Sequence, residues 1–220
     1  MKKIPTVDEL FDTSHTIASR LVESSHYGYR AIMGLGDFIR SLIQTLGSDY
    51  EEIYEGVFAS KDASISENAS IVGPTVICSE AEIRTGAFIR GTAIIGRGAV
   101  IGNSSEVKNS IVFDEAKLPH YNYLGDSIIG YRAHMGAGVV ASNVRLDKKA
   151  VKIRYGDEII DTGMKKLGAM IGDYAEIGCN SVLSPGSILG RESLVYPLSH
   201  INGTIAEKQI YDGKREERFR

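Results

Sequence analysis

A chain of 220 residues can hold one sizeable domain plus an accessory segment around a full hydrophobic core. Its 25 basic and 28 acidic side chains are mixed along the length for a net charge of −3, which argues against nucleic acid or an anionic membrane surface as partner. Pro5, Asp8 and Glu9 interrupt any signal region, no apolar run approaches the ~18–20 residues of a spanning helix, and Cys78 and Cys179 fit neither a metal motif nor a disulfide framework. A cytoplasmic protein with reduced thiols is the plain expectation.

Residues 1–57 read as a helical N-terminal segment. Thr6-Val-Asp-Glu9 is a capping box that opens a helix running through about Val22. Ile32, Leu35, Ile39, Leu42 and Leu46 form an apolar stripe closed by Gly47. The expected role is a cap over the first coil of the domain that follows, because a solenoid needs its ends covered, with a separate binding module as the alternative. Gly34-Leu-Gly36 is not a phosphate loop, since no strand precedes it and no third glycine follows.

From residue 58 to 200 the chain repeats with a period of six. Aliphatic residues stand at Ile65, Ile71, Ile77, Ile83, Ile89, Ile95, Ile101 and Val107, return at Ile129 and Met135, and run again from Ile171 to Val195. A small side chain precedes each by two positions (Ala81, Ala87 and Ala93 among them), so both point to one interior. Glycine often follows the aliphatic residue, as at Gly96, Gly102, Gly130, Gly136, Gly172, Gly178 and Gly190, and is expected there to supply the positive φ of a turn. Short strands that turn every six residues build a solenoid of triangular section, a parallel β-helix, and no helical period of 3.6 fits.

Two intervals break the period. Val107 to Ile129 spans 22 residues and reads as one coil of eighteen plus an irregular four-residue excess that contains His120. Ala141 to Ile171 spans 30, within which Val151–Tyr155 and Glu158–Thr162 flank Gly156-Asp157 and predict a protruding hairpin at about 145–165, an arm able to reach a neighbouring subunit. Residues 201–220 read as a C-terminal tail.

Arg90 and Lys108 lie eighteen residues apart and both point outward, hence one coil apart on one face. Like charges at strand spacing repel unless an anion joins them, so a phosphate site is one reading. Neutralisation by Glu106 on a solvated face is the other. His120 and His134 are each, on spacing alone, ordinary solvated histidines, and two are too few for the three close ligands of a solenoid zinc enzyme.

The stretch Glu106-Val-Lys-Asn, then Pro119-His-Tyr-Asn-Tyr-Leu-Gly-Asp-Ser-Ile-Ile-Gly, then Met135-Gly-Ala-Gly resembles the C-terminal acetyltransferase domain of bifunctional UDP-N-acetylglucosamine pyrophosphorylase/glucosamine-1-phosphate N-acetyltransferases. Asn143-Val-Arg-Leu-Asp-Lys-Lys and Asp161-Thr-Gly-Met-Lys-Lys-Leu-Gly-Ala are similar to the archaeal-type sugar-1-phosphate nucleotidylyltransferase branch, and the likeness covers roughly residues 60–195. The resemblance implies the left-handed form of the hexapeptide-repeat β-helix, against the general right-handed preference of parallel crossovers. It implies His120 as general base and Arg90 and Lys108 as a sugar-phosphate clamp. Glu106, Tyr123, Asn143 and His134 would hold the sugar and its amine, His134 standing where the family usually has asparagine. Ala137 would offer its backbone to the thioester oxygen, and Ala137, Gly138 and Cys179 would line the coenzyme A groove.

The implied reaction is N-acetylation of an amino-sugar 1-phosphate with acetyl-CoA as co-substrate and no metal. The amine attacks the thioester directly while imidazole takes its proton. Nucleotidylyltransferase activity is not expected, because 57 residues cannot hold that domain. A different amino or nucleotide sugar as acceptor, or a non-catalytic subunit partnering a separate nucleotidylyltransferase, are the alternatives. A homotrimer with parallel axes is the expected assembly, since flat triangular sides pack under threefold symmetry.

Overall fold

A computed structural model describes residues 3–213 and the backbone of 216–218. The chain winds as a left-handed parallel β-helix whose short strands stack into three sheets, called here faces A, B and C in the order the chain crosses them. Face A carries inward Ala59, Ile77, Ile95, Val112, Ile129, Ile171, Leu189 and Ile205; face B carries Ile65, Ile83, Ile101, Leu118, Met135, Ile177 and Val195; face C carries Ile71, Ile89, Val107, Leu124, Ala141, Leu183 and Ile201. These residues and the small ones two positions earlier fill the prism.

The period is more exact than the sequence suggested, and its exceptions share one place. Every side from A to B and from B to C advances six residues, from Ile77 to Ile83 and on to Ile89, and again from Val112 to Leu118 and on to Leu124. All irregularity lies at the corner from C back to A. Val107 to Val112 and Leu124 to Ile129 are sides of five, Ala141 to Ile171 carries the insertion, and Ile201 to Ile205 is a side of four. The interval from Val107 to Ile129 is therefore not a coil with an irregular excess. It is regular solenoid with two shortened corners, each turned by one left-handed residue, Asn109 at φ 46° and Asp126 at φ 49°.

The glycines after the aliphatic residues serve a different purpose from the one expected. None of the seven has positive φ; the left-handed residue comes two positions later and is usually not glycine, as at Ser104, Arg132, Tyr174, Asn180 and Glu192. Glycine is required by the stacking itself. A Cβ on Gly102 would overlap the Pro119 carbonyl of the next coil, and one on Gly178 would overlap Pro197.

The N-terminal segment is helical but is not an end cap. Helix α1 (Val7–Leu10) is closed by its capping box, Thr6 N–H donating to Glu9 at 2.8 Å, and stops because Phe11 is extended and packs on Phe113. Helix α2 (Ser19–Glu23) and helix α3 (Gly28–Leu42) follow, so the helix expected through Val22 is broken into pieces. Together they lie along the outside of face A. That face presents Val76, Ile94, Ile111, Ile128, Met170 and Ile188 outward, an apolar ladder buried against Leu10, Ile32, Leu35 and Ile39. Each such side chain gains about 1.5–3 kcal/mol from burial, which is why the helices go to the side. The first coil is instead edged by Tyr50–Tyr54, antiparallel to Val57–Ser60.

A buried carboxylate anchors the segment: Asp173 accepts from the Asp12 N–H at 2.6 Å and from the Tyr131 N–H at 2.8 Å. Burial pushes its carboxyl up, partly offset by these bonds and Arg191.

The hairpin exists, Lys152–Tyr155 paired antiparallel with Glu158–Asp161, but it does not protrude. Val151 and Ile153 are buried in the same second core as the helices, Thr204 donates to the Arg154 carbonyl at 2.9 Å, and Glu158 accepts from the Ile4 N–H. Nor does residue 201 begin a tail, for strands His200–Ile201, Thr204–Ile205 and Gln209–Tyr211 continue the coils.

Candidate functional site

The residues singled out by sequence sort onto two neighbouring faces and the corner between them. On face C, Arg90 and Lys108 sit on adjacent rungs as expected, flanked by Glu106 and, one rung on, Tyr123. Neither cation is free. Arg90 Nη1 meets Glu106 Oε1 at 2.8 Å, and Lys108 Nζ meets Asp126 Oδ2 at 3.1 Å. The first pair is open to solvent, so exchanging its carboxylate for an incoming anion costs little, of the order of 0–1 kcal/mol. The second is enclosed, with Asp126 also taking bonds from Asn109 Nδ2 at 2.7 Å and from Asn143 Nδ2.

Local backbone explains why these groups meet. Asn109 and Asp126 are the left-handed residues of the two five-residue corners, a conformation that asparagine and aspartate tolerate better than most. Asn143 is the last residue before the insertion, where its carbonyl accepts from the Leu167 N–H and the chain re-enters. Gly125 leaves open the space beside which the Tyr123 hydroxyl and the Asn143 amide converge. Burial, then the carboxylates of Glu106 and Asp126, pushes the Tyr123 phenol up, so it stays a neutral donor. Asp126 escapes a count of eighteen, because the five-residue corner sets it at the turn beside Asn109 while Gly125 takes the rung after Lys108.

His120 ends the face B strand Lys117–His120 and is exposed at the corner that leads into Tyr123. It stands on a strand end, not in a loop. Its N–H donates to Asn122 Oδ1 at 3.0 Å, and Asn122 is buried in the prism, donating to the Gly136 carbonyl at 2.8 Å. The same corner stacks Ala137, Gly138 and Cys179 on successive coils, tied by Gly138 N–H to the His120 carbonyl at 3.0 Å and Asn180 N–H to the Ala137 carbonyl at 2.8 Å. Cys179 is exposed there, whereas Cys78 is buried and its thiol pushed up to about 12, chiefly by that burial. Tyr121, Tyr196 and Leu198 expose 63, 54 and 79% of their surface along this corner, which leaves it apolar.

His134 is not gathered with the others. It points outward from face B, on the rung after Lys117, with Nδ1 2.9 Å from Glu176 Oε2. No helix of the described residues is long and apolar enough to cross a membrane.

Residues 71–165 match the model of the GMPPB C-terminal domain. The bifunctional sugar-1-phosphate nucleotidylyltransferase/acetyltransferase of Sulfurisphaera tokodaii is 34% identical over 105 residues, 48% of this chain and 26% of that protein. The bifunctional protein GlmU of Methanococcus aeolicus is 35% identical over 111 residues, 50% of this chain and 26% of that one. The chain thus spans about a quarter of the length of these relatives. Among solved structures, a hexapeptide transferase family protein from Anaplasma phagocytophilum is 17% identical with a TM-score of 0.41, covering 76% of this chain and 81% of that one. By fold and repeat the chain is a hexapeptide-repeat left-handed β-helix. Within that class it is similar to the C-terminal domain of the bifunctional sugar-1-phosphate nucleotidylyltransferase/acetyltransferases.

Proposed function

We propose that this chain is an acetyl-CoA-dependent N-acetyltransferase acting on an amino-sugar 1-phosphate, working as a homotrimer. The observation that carries this is the patch on face C, where two cations, two carboxylates, a neutral phenol and an amide lie beside a histidine-bearing corner. Arg90 and Lys108 take the phosphate, Arg90 releasing Glu106. Glu106, Tyr123 and Asn143 then hold hydroxyls and the amine. His120 accepts the ammonium proton, the freed amine attacks the thioester carbonyl, and collapse of the tetrahedral intermediate breaks the C–S bond as the departing coenzyme A thiolate takes the proton from His120; the Ala137 N–H faces the developing oxyanion, worth about 3 kcal/mol for one donor. Acetyl-CoA lies along the apolar corner by Ala137, Gly138 and Cys179. Binding both substrates in one groove supplies much of the remaining rate.

His134 favours a second reading, in which the acceptor is another amino sugar or a nucleotide sugar, because an imidazole held by a carboxylate replaces an amide at that position. A thiol-release assay with acetyl-CoA against amino sugars, their 1-phosphates and nucleotide sugars tests both. Release with glucosamine 1-phosphate well above glucosamine supports the first reading, release with a nucleotide sugar supports the second, and no release with any amine removes the enzymatic proposal.

A further inference from the structure

Face B carries a second constellation that the acetyl transfer does not use. Lys117, His134 and Glu176 are in strict register on three successive rungs, their side chains outward. Beside them, at the corner from A to B, stand Glu115, Arg132 and Tyr174, each the left-handed residue of its turn, with φ of 57°, 54° and 58°. The six enclose a groove of about 710 Å³.

The polar groups in this groove are unevenly committed. Glu115 is satisfied, holding Arg132 Nε at 2.8 Å and the Tyr131 hydroxyl at 3.0 Å. Arg132 also lies 5.1 Å from the Tyr131 ring centre, so it is fixed at the rim. Glu176 spends one oxygen on His134 Nδ1, which makes that nitrogen the donor and aims Nε2 away from the carboxylate. The Lys117 ammonium, two rungs from Glu176, has no ion pair or hydrogen bond among the described residues. Face C shows the opposite situation, with both of its cations already paired. Lys117 and His134 stand on adjacent rungs, whose backbones lie roughly 4.8 Å apart, so both side chains can reach oxygens of one tetrahedral anion. Glu176 Oε1 and the Tyr174 hydroxyl remain for neutral hydroxyls.

We propose that this groove binds the phosphate monoester of a polyol, with Lys117 Nζ and the Nε2–H of the His134 imidazolium donating to the phosphate and Glu176 and Tyr174 on the hydroxyls. The site is complete within one chain, on a different face from the acetyl-transfer patch, and does not depend on that reading.

The test follows the His134 imidazole by NMR, assigned with His134→Gln, while glucose 1-phosphate is added; this probe has no amine to acetylate. A saturable shift is expected, absent with glucose. Lys117→Ala should weaken it at least tenfold, and Glu176→Gln should reduce it. Arg90→Ala and Lys108→Ala should leave it unchanged. All four side chains are outward, and melting curves confirm that the variants fold. No saturable shift, or equal binding by Lys117→Ala, overturns the proposal. So does loss of the shift in Lys108→Ala, which would make His134 a reader of the face C ligand across two copies.

Discussion

The corner between faces B and C and the corner between C and A differ in how much variation they permit. The first advances six residues on every coil and bears His120, Ala137, Gly138 and Cys179. The second takes six, five, four or a whole hairpin, and bears Asn109, Asp126 and Asn143. A strand alternates its faces, so a one-residue slip inside a side turns its interior outward. Shortening is harmless only where it is absorbed by the turn. The teaching is that the corner bearing His120 is built where register is strict, and the polar cluster of Asn109, Asp126 and Asn143 where turns are free to bring distant side chains together.

The largest expected effect separates the corners by insertion. One alanine added between Leu118 and His120 should prevent soluble expression, whereas one added after Asn109, which restores a side of six, should melt within a few degrees of the parent. Equal tolerance at both places would refute the distinction.

Next comes chemistry at the strict corner. His120→Ala should lower kcat by about 10²–10⁴ with KM for both substrates nearly unchanged, the usual contribution of a positioned base. Thermal stability should hold, because the side chain is outside the prism. A variant that keeps most of its kcat removes His120 as base.

At the free corner the effect belongs to binding. Lys108→Ala or Arg90→Ala should raise KM for a phosphorylated acceptor about 10–100-fold while KM for acetyl-CoA stays put, as a charge-assisted contact is worth roughly 1.5–3 kcal/mol. Lys108→Ala also strands the buried Asp126, so it should melt lower than Arg90→Ala. Equal shifts in both KM values would mark the cations as structural.

The smallest effect is a labelling rate. At pH 8 a thiol at about 12 is ionised in roughly one molecule in ten thousand, so Cys78 should resist a disulfide reagent that modifies Cys179 in the folded protein. Acetyl-CoA should slow Cys179 several-fold. Two equally fast thiols would contradict the burial, and no protection would move the coenzyme groove elsewhere.

The fold was legible because its signal is a period, and a period survives many substitutions. What hid the middle coils was phase. Counting six from Val107 lands on Phe113, Pro119 and Gly125, whereas the interior residues are Val112, Leu118 and Leu124. The small residues Ser110, Ala116, Asn122 and Ser127, two positions before each next aliphatic, carried the corrected phase. Individual side chains of the patch were readable from spacing and resemblance; their commitments to Asp126 and Glu176 were not, since hydrogen bonding across coils depends on the exact corner lengths. The placement of the helices escaped because outward Ile94, Ile111 and Ile128 look, in sequence, like more of the same repeat.

Synthesis runs from one end, and the seat of the N-terminal segment is finished last. Leu10 and Asp12 bond to Asp173, and Gly28 packs against Met170 and Ile128, so the first thirty residues emerge well before the coils that receive them. Helix α3 can settle early on Ile94 and Ile111, but Leu10 and Asp12 must wait for Asp173, and Ile4 for Glu158. Until then an apolar segment and an apolar ladder are both uncovered, which makes nascent chains shorter than about 175 residues the species that most need a chaperone.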